Sequence, residues 1–438
     1  MQFLPNILFA LLLIVGIGFF TRNIKKVIRN IKLGKPVDRS DNSSQRWKNM
    51  ARIALGQSKM VSRPISGFLH VIVYLGFIII NIEVLEIILD GLLGTHRIFL
   101  PTLGAGFYGF LIGTFEILAL LVFIAVIIFW LRRNIVKVKR FLNKEMKGWP
   151  KKDGNFILYF EMVLMALFIT MNAADPEFQQ AGIGNIVSKF VAPIFDGMNT
   201  ATIHLIERGA WWLHIIGIFI FLNYLYYSKH LHILLAFPNT YFGSLKPKGQ
   251  FDNLESVTRE VKMMLDPNAD PFATPSETET EEIPEKFGAE DVMDLNRIQL
   301  LNAYTCTECG RCTAACPANL TGKELSPRAI MMKTRDRLEE VGRNLNANGG
   351  EFKDDGKKLL NDHITPEELW ACTTCNACVE ECPVSIDPLS IIMDMRRFLV
   401  MEQSAAPQEL NMMMTNVENN GAMWQYNQMD RLNWKNEE

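Results

Sequence analysis

The residues of this 438-residue chain whose types and spacing could do redox chemistry are eight cysteines and a few histidines. All the cysteines fall in two runs, Cys306-Thr-Glu-Cys309-Gly-Arg-Cys312-Thr-Ala-Ala-Cys316-Pro317 and Cys372-Thr-Thr-Cys375-Asn-Ala-Cys378-Val-Glu-Glu-Cys382-Pro383. Each run reads C-x2-C-x2-C-x3-C-P, in which three closely spaced thiolates wrap one cube of iron and sulfide and the fourth, held ahead of proline, turns to a neighbouring cube. The expected ligand sets are therefore crossed. Cys306, Cys309, Cys312 and Cys382 should hold one [4Fe-4S] cluster, and Cys372, Cys375, Cys378 and Cys316 the other. Structural zinc usually takes two C-x2-C units across a longer loop, which this spacing fits badly.

Tight thiol clusters in a long chain indicate metal in a reducing compartment rather than disulfides, so both runs belong in the cytoplasm. The mean hydropathy of +0.09 averages a strongly apolar first half with a polar second half, and the net charge of -2 gives no reason to expect a nucleic-acid partner. Five apolar segments, about 3–20, 64–89, 103–131, 156–173 and 209–235, reach the length of about 20 residues that a bilayer-spanning helix needs. The first is an anchor rather than a signal peptide, because nothing basic precedes it and Arg22, Lys25, Lys26, Arg29, Lys32 and Lys35 follow it. By the positive-inside rule its C-terminal end faces the cytoplasm, as does the Arg132 to Arg140 stretch, and the fifth helix delivers the cysteines to that same side. This predicts a multi-pass protein of the inner (cytoplasmic) membrane. Its fold class is all-α: a five-helix transmembrane bundle plus a small α-helical ferredoxin domain.

Ionisable side chains inside such helices are costly and mark function. His70 lies about two turns into the second helix, and His230 and His232 stand at the cytoplasmic end of the fifth, at the same depth. Two imidazoles facing each other at one depth can hold a haem iron axially. If the fifth helix is continuous, His214 and His232, eighteen residues apart, share one face. His230 then points about 160° away. His232 is accordingly the expected partner of His70, His230 the reserve, and His214 a candidate for a second haem. The plainer alternative is an interfacial histidine that meets headgroups or a carbonyl.

The membrane half resembles the haem b gamma subunit of respiratory nitrate reductase and related membrane subunits of heterodisulfide reductase-like complexes, on the five-helix count, His70, and the His214/His232 pair. That family places a second histidine about ten residues after the first; here the positions are Ile80 and Asn81, so the resemblance implies one haem b. The stretch Leu369-Trp370-Ala371-Cys372 through Met395-Arg396-Arg397-Phe398 looks like the dicluster ferredoxin part of heterodisulfide reductase subunits and of the iron-sulfur subunits of glycolate and glycerol-3-phosphate oxidoreductases. Such relatives often add a cysteine-rich catalytic region, whereas no cysteine follows Cys382.

The domain reading is 1–240 membrane haem b domain, 241–294 flexible acidic linker with a short helix around 254–265 and an acidic run at 277–285, 295–403 dicluster domain, and 404–438 tail. A helix opened by Ser326-Pro327-Arg328 should separate the motifs, and another should follow Pro388. The expected function is a membrane electron-transfer subunit of an oxidoreductase complex, relaying electrons among the quinone pool, haem b, two [4Fe-4S] clusters and a soluble partner. With no nucleotide loop and no spare thiol, the chain should not be catalytic alone. A separate cysteine-rich or flavoprotein subunit should convert substrate, and quinone should bind near Arg63, His70 and Lys229. The rival reading is a non-redox membrane scaffold whose metal only holds its tail folded.

Overall fold

The structure is a computed structural model that describes residues 3–247, 249–267 and 286–436. Every regular element among them is helical. Five helices are long and apolar enough to cross a membrane: α1 (Leu4–Lys32), α2 (Pro64–Leu93), α3 (Ala105–Asn134), α4 (Trp149–Ala173) and α5 (Thr200–Tyr224). Their boundaries follow local chemistry. Pro64 opens α2 where its missing N–H costs nothing, and Gly94 closes it in the left-handed region. Arg29 and Lys32 in the last turn of α1, like Arg132 and Arg133 in α3, meet the negative helix end. Inside the bundle Phe9, Ile112, Phe115, Phe168 and Ile215 are fully buried, while Ile14, Phe110 and Leu205 point outward. An apolar outer face of this kind suits lipid.

The fifth helix differs from the expected 209–235. It begins at Thr200, where the Asn199 side chain accepts the Thr202 N–H at 2.8 Å, and its α-helical part ends at Tyr224. At Ser228 the backbone turns extended (φ -115°, ψ 147°), and Asp153 of α4 draws the chain aside by accepting the Tyr224 hydroxyl at 2.6 Å and the Lys229 N–H at 3.2 Å. A new helix, α6 (His232–Tyr241), starts on the far side of the break. His214 and His232 therefore lie on different helices, and the count of five turns between them does not hold.

The cysteine domain comprises α7 (Arg297–Thr305), α8 (Arg311–Ala315), α9 (Pro327–Ala347), α10 (Ala377–Glu381) and α11 (Pro388–Arg397). Ser326 caps α9 by accepting the Ala329 N–H, the helix expected between the motifs. The helix expected near 254–265 is present over Glu255–Leu265; the acidic run 277–285 lies outside the described residues. Residues 286–294, at the end of the segment read as a tether, are folded into this domain. Ala289 and Val292 are buried there, and Asp291 takes a bidentate pair from the fully buried Arg337 at 2.9 and 3.0 Å.

The domain is docked on the bundle. Val27, Ile157, Phe221, Leu225 and Leu231 share one apolar core with Leu300, Ala303, Ile330 and Leu338. Around that core Asn30 donates to the Tyr304 hydroxyl at 2.9 Å, Arg311 to the Met60 and Lys59 carbonyls, and Asn239 to the Val384 carbonyl at 2.8 Å. Arg328, fully buried, donates to Glu145 at 2.6 Å and to the Arg140 carbonyl at 2.8 Å. Removing one partner of a buried pair costs about 3–5 kcal/mol. Arg328→Ala should accordingly lower the melting midpoint of the purified protein and open the 135–147 loop to protease. An unaltered midpoint would show that the seat does not depend on this pair.

Candidate functional site

The two cysteine runs adopt one backbone trace. Two residues past the first cysteine, Glu308 and Thr374 have φ of 54° and 55°; four residues past it, Gly310 and Asn376 have 71° and 61°. Closely spaced positive-φ residues turn the backbone around a centre, and glycine and asparagine tolerate that region best. A Cβ at Gly310 would also run into the guanidinium of Arg328. A short helix follows in each run, α8 and α10, and Cys316 and Cys382 end them with matching angles (φ -73° in both, ψ 119° and 121°). The motifs are thus a structural repeat, packed against each other through α8 and α10.

None of the eight thiols is in a disulfide. Cys306 and Cys312 lie within electrostatic range of Cys382, and Cys372 and Cys378 within range of Cys316, the proximity that crossed ligand sets require. Burial pushes the Cys306 thiol up to about 12, and burial with the neighbouring Cys309 pushes Cys382 up to about 11. Thiols so disfavoured as bare anions need a cation to be ligands, which iron supplies. No three of the described His, Cys, Asp or Glu residues converge as the ligands of a single ion would; around a cube each thiolate reaches its own iron and need not. The second run is pinned by Arg396, which donates to the Leu369 and Cys372 carbonyls and lies over the Trp370 ring at 4.9 Å.

One cysteine of each run is placed differently. Cys375 is exposed on the surface of the docked domain, whereas Cys309 of the first run lines a cavity of about 510 Å³ between that domain and the membrane helices. His70, His230 and His232 line the same cavity. Its size is that of a ligand pocket, about 300–1,000 Å³. His70 Nδ1 is buried without a hydrogen-bond partner. His232 Nδ1 lies 3.1 Å from the Lys229 carbonyl, so an Nδ1–H bonded there leaves Nε2 free to bind a metal. The His230 and His232 rings meet edge to face at 5.3 Å. Burial lowers the pKa of both, keeping them in the neutral form that ligation uses.

His214 stands apart. Its Nδ1 lies 3.0 Å from the Leu164 carbonyl, and its ring borders a separate cavity of about 80 Å³, too small for a macrocycle, beside Ile80 and Asn81. The expected quinone donors also divide. Arg63 pairs with Glu381 at 2.9 Å in the cysteine domain, and the Lys229 ammonium is taken by Glu308 and by the Pro150 carbonyl at 2.7 Å. Lys229 still borders the large cavity, as do Arg132, Arg140 and Arg311, whereas Arg63 does not. Sequence reasoning missed Glu308 and Arg311 because they occupy the variable positions of a cysteine motif, and only the docking of two domains gives them a role.

The 4Fe-4S dicluster domain family matches residues 305–386. The chain is 28% identical to the probable iron-sulfur-binding oxidoreductase FadF of Bacillus subtilis, over 98% of this chain and 61% of that protein. It is 26% identical to the EtfAB:quinone oxidoreductase of Syntrophomonas wolfei, over 92% of this chain and 55% of that one. A ferredoxin-dependent CoB-CoM heterodisulfide reductase of Methanosarcina acetivorans contains a chain that is 29% identical over 27% of this one and 60% of its own length. No solved structure matches. The chain thus joins a 4Fe-4S dicluster domain to five helices long and apolar enough to cross a membrane. Its relatives are iron-sulfur oxidoreductases and electron-transfer subunits, and the chain spans only 61% and 55% of the first two.

Proposed function

We propose that this chain carries electrons between a quinone of the bilayer and a soluble catalytic partner, with the cysteine domain on the cytoplasmic side of the inner membrane. The observation that carries the reading is the shared cavity. One space between bundle and docked domain is bordered by three histidines and by Cys309, a ligand of the first cluster. His70 and His232 would hold haem b there, with His230 in reserve; the unpartnered Nδ1 of His70 and the carbonyl-bound Nδ1 of His232 both fit axial ligation. When bound, haem and the two clusters supply one-electron carriers. The residues around them suggest the order: Cys309 of the first run borders the histidine cavity, and Cys375 of the second run is exposed, where it marks the surface a partner would approach. Arg132, Arg140 and Arg311 offer positive charge to acidic groups in the cavity. Haem at His214 is unsupported, since its cavity is too small.

The names of two relatives, one acting between an electron-transferring flavoprotein and quinone and one belonging to a heterodisulfide reductase, favour a flavoprotein or a cysteine-rich protein as the partner. In this reading the chain is a conduit that converts no metabolite by itself. The test is anaerobic reduction of the purified protein by a quinol analogue. The b-type bands should sharpen and the broad cluster absorbance should bleach together. A protein whose iron is absent, or whose spectrum no donor alters, would instead be the scaffold with structural metal.

A further inference from the structure

We propose that the bundle also conducts protons, along a line of carboxylic acids, half-buried at Glu161 and buried from Glu83 onward, that connects the large cavity with the end of the bundle remote from the cysteine domain. This rests on the proposed exchange of electrons with a bilayer quinone, taken here to meet the haem at the edge of that cavity, and it concerns residues that neither metal ligation nor docking uses.

The line begins at Glu161 of α4. Glu161 borders both the 510 Å³ cavity and the 80 Å³ cavity. The small cavity lies between α2, α4 and α5, with Asn81 and His214 on its wall. At about 10–15 Å³ of probe volume per water it has room for several, and its wall offers the polar partners that ordered water needs. One turn beyond Ile80, which also borders it, stands Glu83. Glu83 is 3% exposed and its Oε2 has no hydrogen-bond partner. The charges that act on it come from Glu86 of its own helix, from Arg97 in the following loop and from Glu116 of α3.

Beyond Glu83 the buried stripe of α2 continues with Glu86 and Asp90. Glu86 accepts the Tyr108 hydroxyl at 3.0 Å and the Phe99 N–H at 2.9 Å. Asp90 accepts the Arg97 and Ile98 N–H groups at 2.7 and 3.1 Å and the Thr95 hydroxyl at 2.5 Å, at the remote mouth. The partnered groups Glu86, Asp90 and Glu116 have a sufficient structural role, since they pin the loops after α2 and α4. Glu83 and Glu161 have none. A carboxyl without a partner inside a membrane helix is costly and is retained for transport or proton relay. The two are separated by a space fit for water rather than by packed side chains.

The chemistry balances. Oxidation of one quinol yields quinone, two electrons and two protons. The electrons leave through the carriers on one side of the cavity. The protons pass to Glu161, across the small cavity to Glu83, and out past Glu86 and Asp90, each carboxylate gaining a proton as its neighbour loses one. Quinone reduction runs the same hops inward.

Two measurements on the full-length protein test this. Liposomes carrying it with the cysteine domain outward, a pH dye inside, a quinol analogue as donor and external ferricyanide as acceptor should acidify internally. Glu83→Gln should slow both turnover and internal acidification by about a hundredfold, with KM for the quinol unchanged, and Glu83→Asp should restore part of both. Protons released outside by the native protein, or a Glu83→Gln protein equal to it, would overturn the proposal while leaving quinol oxidation intact. If no quinol is oxidised, the quinone reading fails by itself, and infrared spectroscopy decides the path. The carboxylic C=O band lost in Glu83→Gln should shift within seconds of transfer to heavy water, and Glu161→Gln should slow that exchange. A band that exchanges only over hours would show Glu83 to be sealed and the path absent.

Discussion

Replacing Cys316 with alanine should abolish the cluster built mainly by the other motif, the one that takes Cys372, Cys375 and Cys378. The reason is the repeat geometry. In each run a short helix separates the first three thiols from the fourth, whose backbone, followed by proline, matches its counterpart within 2° in ψ, and crossed ligation would carry that fourth cysteine to the partner run's cluster. Cys316 is buried, and Cys372 and Cys378 are the thiols within its electrostatic range. A cube left with three thiolates loses a ligand that no other residue can replace, because every remaining cysteine already serves. Electron paramagnetic resonance of the reduced variant should show the signal of the first-run cluster alone, and iron content should fall by up to half. Loss of the first-run signal instead would refute the crossed sets. The reciprocal Cys382→Ala should spare the second-run cluster and interrupt electron flow between the histidine cavity and the surface.

The second large effect is expected in the membrane. His70→Ala should eliminate the b-type absorbance and leave cluster iron nearly unchanged, since the histidine and the cysteines sit on different elements around the cavity. His232→Ala should do the same. His230 borders the same space, so the three substitutions form a discriminating set. The pair whose removal erases the spectrum is the axial pair, and a spectrum that survives both His70→Ala and His232→Ala would remove haem from the account. His214→Ala should leave the b-type bands in place, because its ring lies in the smaller cavity and hydrogen-bonds the Leu164 carbonyl.

What could be read from residues alone divides by range. The cysteine spacing is local: it is written in a few consecutive residues, and the matched turns at 308–310 and 374–376 accompany it. The five spans are legible because a bilayer demands long apolar runs. The break at Ser228 is not, since the stretch from Tyr224 to Leu235 contains neither glycine nor proline and the chain is diverted by Asp153, more than seventy residues earlier. The same holds for the seat of the cysteine domain and for the cavity beneath it. Glu145 with Arg328, Asn30 with Tyr304 and Lys229 with Glu308 are pairs of distant positions that no periodicity announces. Arg63 and Lys229 looked like free donors for the same reason.

The core shared by Val27, Ile157 and Leu231 with Leu300 and Leu338 has a consequence for biogenesis. The helices that contribute the first set leave the ribosome and enter the membrane before the second set has been synthesised. Until then, apolar and charged surface at one end of the bundle has no cover. Completing it requires the cysteine domain, whose eight thiols should gain stability from the metal centres they hold. A cell short of iron or sulfide should therefore accumulate little of the inserted bundle, because an uncovered end is a target for membrane proteases. Cofactor supply would then govern abundance as well as activity.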